Sequence, residues 1–341
     1  MLKRVLVLAV LCCLLATQAM AGSMTPGKGV TIKPARATWN TSFFHEALIR
    51  KGLKELGYTV KAPKDLANAL FYKSVAFGDV DYWPSGWLPN HKNYMKGNFN
   101  ERAQAYGYVV KAGGLQGYLV SKSIAEELGI ESLDDFKRPE VRKVFDKNGD
   151  GKADLTACPP GWQCERDIDR HLKIYGLNDS ITPVKAAYEA SMAANLGAHK
   201  NGEPIFFYTW TPNWTVFELK PGKDVVWINV PKNIPAESEK DVVDSMTVEN
   251  LTGAVTSPLQ MGFAASDIRI IANREFAEKN PAARRFFEVF RLPLADINEQ
   301  NNRMNSGEKS DKDIDRHADE WIAKNKATWD KWLAEARNAA Q

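Results

Sequence analysis

Between Gly29 and Ala272 short apolar runs keep alternating with segments of helical period, and this order restricts the fold more than any other feature of the chain. Residues 29–34 (GVTIKP) alternate as a strand. Thr41 or Ser42 is placed to cap a helix whose Phe43, Phe44, Ala47, Leu48 and Leu53 keep helical spacing up to Gly57. Residues 58–60 read as a strand, 66–76 as a helix and 80–83 as a strand. Strand, helix, strand, helix, strand in that order predicts an α/β fold with a parallel sheet and crossover helices. The alternation returns with strands at 117–120, 204–208 and 225–230 and helices at 123–128, 166–175 and 188–198. A strand at 268–272 is followed by helices to the end of the chain. Two lobes are expected, one from residues 22–115 with 255–341 and the other from 116–254. Ile314, Ala318, Trp321, Ile322, Trp329, Trp332 and Leu333 read as the packing face of the C-terminal helices.

The first residues, MLKRVLVLAVLCCLLATQAMAGS, have the layout of a secretory signal: Lys3 and Arg4, an apolar stretch from Val5 to Ala16, and Ala19-Met20-Ala21 before the cut. Cleavage after Ala21 is expected, with the mature chain in an exported compartment. An uncleaved N-terminal anchor is the alternative. No later segment has the roughly 20 apolar residues a membrane-spanning helix needs.

Of the 45 Lys and Arg in the chain, the signal removes Lys3 and Arg4, leaving 43 against 42 Asp and Glu. Binding nucleic acid needs clustered excess cation, so no nucleic-acid partner is expected. Two cysteines remain, Cys158 and Cys164. In an exported chain an even pair is most simply a disulfide; two buried free thiols are the alternative.

Nothing nominates catalysis. The histidines, at 45, 91, 171, 199 and 317, show no metal-ligand spacing, and no nucleophile elbow or phosphate-cradling Gly loop is present. The chain is expected not to be an enzyme and to carry no cofactor. One acidic loop, FDKNGDGKAD, puts Asp146, Asn148, Asp150 and Asp154 at positions 1, 3, 5 and 9 of a calcium loop. Gly151 stands at the turn and the Lys152 carbonyl at position seven. Position twelve is Ala157, where a bidentate Glu would be needed. Calcium binding is one expectation here, and a turn closed by its own side-chain hydrogen bonds is the other.

Three tryptophans each follow a Gly or Thr, where a side chain can face a cleft: Trp87 in PSGWLPNH, Trp162 in CPPGWQC and Trp210 in FYTWTPNW. Three such rings spread over both lobes suggest an aromatic cage. An indole face attracts a cation by about 0.5–1 kcal/mol when exposed and about 2 when desolvated. A quaternary ammonium has no N–H donor, so aromatic faces are what can recognise it. Three desolvated faces supply roughly 4–6 kcal/mol before ordering costs, in keeping with micromolar binding. Closing Cys158–Cys164 restrains the chain around Trp162 by roughly 2 kcal/mol in the loop-entropy account, and Pro159 and Pro160 remove further freedom. The amides near Gln163 and Cys164 are then fixed and able to hold a carboxylate.

The segments FDKNGDGKADLTAC, PGWQCE, FYTWTPNW, ELKPGKDVVW, AEKNPAA and LPLADIN carry a resemblance. From about Gly27 to its end the chain resembles the periplasmic glycine betaine/proline betaine-binding proteins of osmoprotectant ABC transporters. The resemblance implies a two-lobed, type II-like periplasmic binding protein with ligand in the interlobe cleft. It implies a trimethylammonium cage on Trp87, Trp162 and Trp210, a carboxylate site on His91 and the amides of Gln163 and Cys164, and a Cys158–Cys164 disulfide. It implies a betaine ligand, a membrane permease as partner and a periplasmic location, and a monomer is expected. Gln163 stands where the family commonly has glycine, and DYWPSGW adds Tyr82 and Trp83 near the first ring. The rival readings are the same scaffold tuned to choline, carnitine or a sulfonium solute, and an exported carbohydrate-binding module.

Overall fold

The structure, a computed structural model, describes residues 24–341. The signal segment lies outside the described residues. Seven strands build the main sheet: β1 (Tyr82–Leu88), β2 (Ala103–Ser121), β3 (Ala153–Thr156), β4 (Ile181–Val184), β5 (Phe206–Thr211), β6 (Val225–Ile228) and β7 (Ser266–Asn273). Their order is β1-β7-β2-β5-β3-β4, with β6 paired to β2. The fold is α/β with two lobes, and strand β2 runs through both. Its first part pairs with β7, from Ala103 opposite Asn273 to Gly114 opposite Ser266. Its second part pairs with β5 from Leu115 opposite Thr211 onward, and with β6 along residues 118–121. The partner therefore changes between Gly114 and Leu115.

The crossover units pair in parallel as their strand–helix–strand order requires: Thr31–Ile32 with Thr59–Val60, Ala35–Arg36 with Lys64–Asp65, and β3 with both β4 and β5. Antiparallel pairs enter wherever β2 and β7 take part. These two strands come from distant parts of the chain, so no local period announces their pairing. Residues 103–116 are broken by Gly107, Gly113 and Gly114 and carry no sustained alternation of apolar and polar residues. Strand β1 runs further than the expected 80–83, to Leu88, and includes Pro84. It is the outermost strand of the sheet path, where a missing N–H is tolerated.

Helix α1 (Thr41–Glu55) turns Phe44, Ala47, Leu48 and Leu53 into the core and ends before Gly57, whose φ of +91° only glycine adopts easily. Neither Thr41 nor Ser42 caps it: the Ser42 hydroxyl instead accepts from the Ala37 N–H at 2.9 Å and from Ser85 Oγ at 2.8 Å. Helix α2 (Asn68–Phe77) crosses to β1, α3 (Gln163–Ile174) follows β3, and α4 (Tyr188–Lys200) follows β4. At the C-terminal end Trp321 and Trp332 stack at 6.0 Å, and Trp329 meets Phe286 edge-on at 5.6 Å. Those three rings are buried packing residues, as the amphipathic pattern requires.

Candidate functional site: an aromatic cavity between the lobes

A cavity opens between the two halves of the sheet. Trp87, Trp162, Trp210, His91, Gln163 and Cys164 all line it, so every residue of the expected cage and carboxylate pocket comes to one place. Trp39, Asn68, Asn90, Gln116 and Tyr208 complete the wall.

Each ring is held by its own element. Trp87 stands near the end of β1 over Gly114, where an added Cβ would lie 2.7 Å from the indole. Trp162 is the N-cap of α3, and its ring N–H donates to Thr38 Oγ1 at 2.9 Å. The disulfide Cys158–Cys164, with Cα atoms 6.0 Å apart, closes the loop that carries it. Gly161 in that loop has φ +91°, a conformation L side chains rarely adopt. Trp210 lies on β5, 5.7 Å from Trp162 and inclined at 75°. Behind these two, Tyr188 of α4 backs Trp210 at 4.6 Å.

The sequence reading passed over Trp39. Its ring sits 5.3 Å from Trp162 at 69°, from the opposite side of the cleft, and is only 6% exposed. It follows Thr38 just as the other three follow Gly or Thr, so the same local criterion applied to ATWNT selects it. Trp83, in contrast, is not a wall: it is fully buried and stacks behind His91 at 6.0 Å and 15°.

The polar corner is equally definite. Burial drives the His91 pKa down to about 3, so the imidazole is neutral and has one N–H. Its Nδ1 receives the Trp87 backbone N–H at 3.2 Å and lies 3.1 Å from the Tyr72 hydroxyl. The ring proton is therefore assigned to Nε2, 2.7 Å from Asn68 Nδ2; two donors cannot face each other, so the Asn68 amide is assigned with its otherwise unpartnered Oδ1 turned to accept from Nε2–H. Asn68 thereby joins His91, a pairing that residues 23 positions apart do not announce. Helix α3 begins at Gln163 with no side-chain cap, so the Gln163 and Cys164 amides are helix N-terminal donors beside the cavity they line. Gln116 Nε2, Trp210 Nε1 and Gln163 Oε1 are buried atoms without a hydrogen-bond partner in the protein. The Gln163 side chain points its Nε2 at Asp167 Oδ1, 2.9 Å away.

The acidic loop is arranged differently. Asp146 accepts the N–H groups of Gly149, Asp150 and Gly151, at 2.7, 3.1 and 2.9 Å. Asp154 accepts those of Lys147 and Asn148, and Asp150 that of Lys152. The carboxylates serve the loop's own amides, the arrangement of a self-bonded turn. Among the described residues no group of three or more His, Cys, Asp or Glu is gathered to hold a metal ion.

Over residues 30–324 the chain matches the family described as the substrate binding domain of ABC-type glycine betaine transport systems. It belongs to that family. It is 40% identical over 328 residues to the glycine betaine-binding periplasmic protein OusX of Dickeya dadantii, covering 96% of each chain. It is 39% identical to the glycine betaine/proline betaine-binding periplasmic protein of Escherichia coli, over 95% of this chain and 94% of that one. The fold agrees with the crystal structure of lactococcal OpuAC in its closed form with glycine betaine. There the TM-score is 0.67 at 20% identity, over 89% of this chain and 99% of the other. A choline-binding protein of an ABC transporter, in complex with choline, gives 0.68 at 16%, over 91% and 96%.

Proposed function

We propose that this chain is the solute receptor of an ABC importer, capturing glycine betaine or proline betaine and handing it to the membrane permease. The observation that carries the reading is the meeting of Trp87, Trp162 and Trp210 with His91 and the α3 amides around one cavity. The rings take the trimethylammonium end, by attraction between indole faces and a cation that cannot donate hydrogen bonds. His91 and Asn68, as a hydrogen-bonded pair, take the carboxylate together with the Gln163 and Cys164 amides. Trp39 closes the cage from the first lobe.

The lobes proposed are 22–115 with 255–341, and 116–254; the change of partner along β2 between Gly114 and Leu115 supports this division. Capture closes them, because ligand contacts made from both sides favour the closed form. The chain works as a monomer in the periplasm after cleavage behind Ala21, the compartment named for its relatives. It makes and breaks no bond and uses no cofactor. The loop at 146–154 acts as a self-bonded turn, so calcium added to the purified protein leaves the melting temperature unchanged; a clear upward shift contradicts this.

Intrinsic tryptophan fluorescence titrated with glycine betaine and with choline, side by side, tests the reading. Saturable change at micromolar glycine betaine, with choline weaker because it has no carboxylate, is the expected result. Choline binding as tightly or more tightly rejects the acidic-end assignment.

A further inference from the structure

The cleft contains a polar contact that caging a cation does not call for. Asp167, in the second turn of α3, accepts from Asn90 Nδ2 on Oδ2 at 2.8 Å and from Gln163 Nε2 on Oδ1 at 2.9 Å. Asn90 lies in the turn that follows β1, on the part of the sheet joined through β7. Asp167 and Gln163 lie on the helix that follows β3, on the part joined through β5. All three side chains are buried, and Asn90 and Gln163 also line the cavity.

Other contacts cross the same cleft. The Trp162 ring N–H donates to Thr38, Thr41 Oγ1 donates to the Pro212 carbonyl at 3.1 Å, and Arg166 lies 5.5 Å over the Tyr94 ring. The Asp167 contact differs in being both charge-assisted and withdrawn from water, where a hydrogen bond is strongest and a lost partner most costly. Gln163 and Asp167 share one helix, four residues apart, so their bond persists whichever way the lobes sit. The bond from Asn90 spans the two halves and breaks when they separate. A contact made in one state and absent in the other shifts the balance between them. The Gln163 amide, in turn, is drawn to the carboxylate instead of standing free in the pocket.

We propose that Asn90, Asp167 and Gln163 form a clasp across the cleft that holds the closed lobes together and slows release of the bound solute. Asp167 acts through Asn90 and Gln163 and is a positioning residue. The proposal rests on the receptor reading above, and glycine betaine is its probe.

Stopped-flow fluorescence separates association from release in the parent, Asn90→Leu, Asp167→Leu and the double variant. Asn90→Leu leaves a buried carboxylate short of a donor, and its release rate is expected to rise at least about tenfold with association changed less than about threefold. In the double variant no unpaired charge remains, so part of the loss is regained and the two effects are clearly non-additive. Unchanged release in Asn90→Leu, or additive losses, overturns the clasp. Melting curves identify any variant that fails to fold, and Asn90→Ser then replaces Asn90→Leu. If the parent itself does not bind glycine betaine, the receptor reading fails. The clasp is then judged by small-angle scattering of the unliganded proteins, where Asn90→Leu must be more open than the parent and equal radii reject it.

Discussion

Trp162 meets two of the cavity's other rings within 6 Å, Trp39 and Trp210. Trp162→Ala therefore removes one face and loosens two others. Glycine betaine affinity is expected to fall at least tenfold, about 1.4 kcal/mol, in a fluorescence titration; an unchanged constant counts against the cage. Trp39 enters from the other lobe, so Trp39→Leu is expected to weaken glycine betaine more than the bulkier proline betaine, because it enlarges the cage. Equal loss for both ligands would make it a packing residue. At this scale the sequence was informative where a side chain's job depends on its own neighbours: a ring behind Gly or Thr, a cysteine pair around a tryptophan. It was silent on Asn68, Gln116 and Asn90. An amide becomes a site residue only through what the fold sets against it, such as His91 against Asn68.

The loop from Cys158 to Cys164 joins β3 to α3 and presents both a ring and two amides. Its disulfide restrains the unfolded chain by roughly 2 kcal/mol and also fixes the angle of Trp162. Replacing both cysteines by serine is expected to lower the melting temperature and to weaken glycine betaine binding together. A variant that melts earlier yet binds as before would limit the bridge to stability. Gly114 makes a second test on an element. Gly114→Ala puts a Cβ 2.7 Å from the Trp87 ring and 2.9 Å from the Ser266 carbonyl, so affinity should fall as the ring is displaced. The crossover helices were legible because amphipathic period and Gly stops are local. Strand β2 was legible only at 117–120, since its first part is specified by β7, more than 150 residues away. Trp87 likewise appeared to lie beyond a strand, because Pro84 and Gly86 conceal the run of β1 to Leu88.

Buried ionisable groups give the molecule a characteristic response to acid. His45, His91 and His171 are each pushed down to about 3 by burial, so the folded chain keeps them neutral. An unfolded chain takes up those protons below about 6.5, and the stability they provide is full above that pH and lost as it falls toward 3. Asp167, raised to about 6 mainly by burial, and Glu239, raised to about 7 by burial and then by Asp167, act in the opposite sense. Their contribution is lost as pH rises from about 4 through 6–7, so they offset part of the histidine effect over that window. Burial raises Glu46, Asp81 and Glu189 as well, which adds to this offset. The melting temperature is therefore expected to change little between about pH 6.5 and 4.5 and to fall steeply below about 4, and an undiminished melting temperature at about pH 3.5 contradicts this balance. Two lobes built from α/β crossovers were evident from the order of elements, whereas the meeting of Asn90 and Asp167 between them was not.

That the cavity recognises a methylated positive charge, and not merely a small branched shape, is tested most directly by a carbon isostere. Calorimetric titration compares glycine betaine with 3,3-dimethylbutanoate, in which a neutral quaternary carbon replaces the nitrogen while size and carboxylate are kept. Attraction between the indole faces and the cation predicts at least about a hundredfold weaker binding of the isostere, about 2.7 kcal/mol. Equal affinity for the two would contradict it.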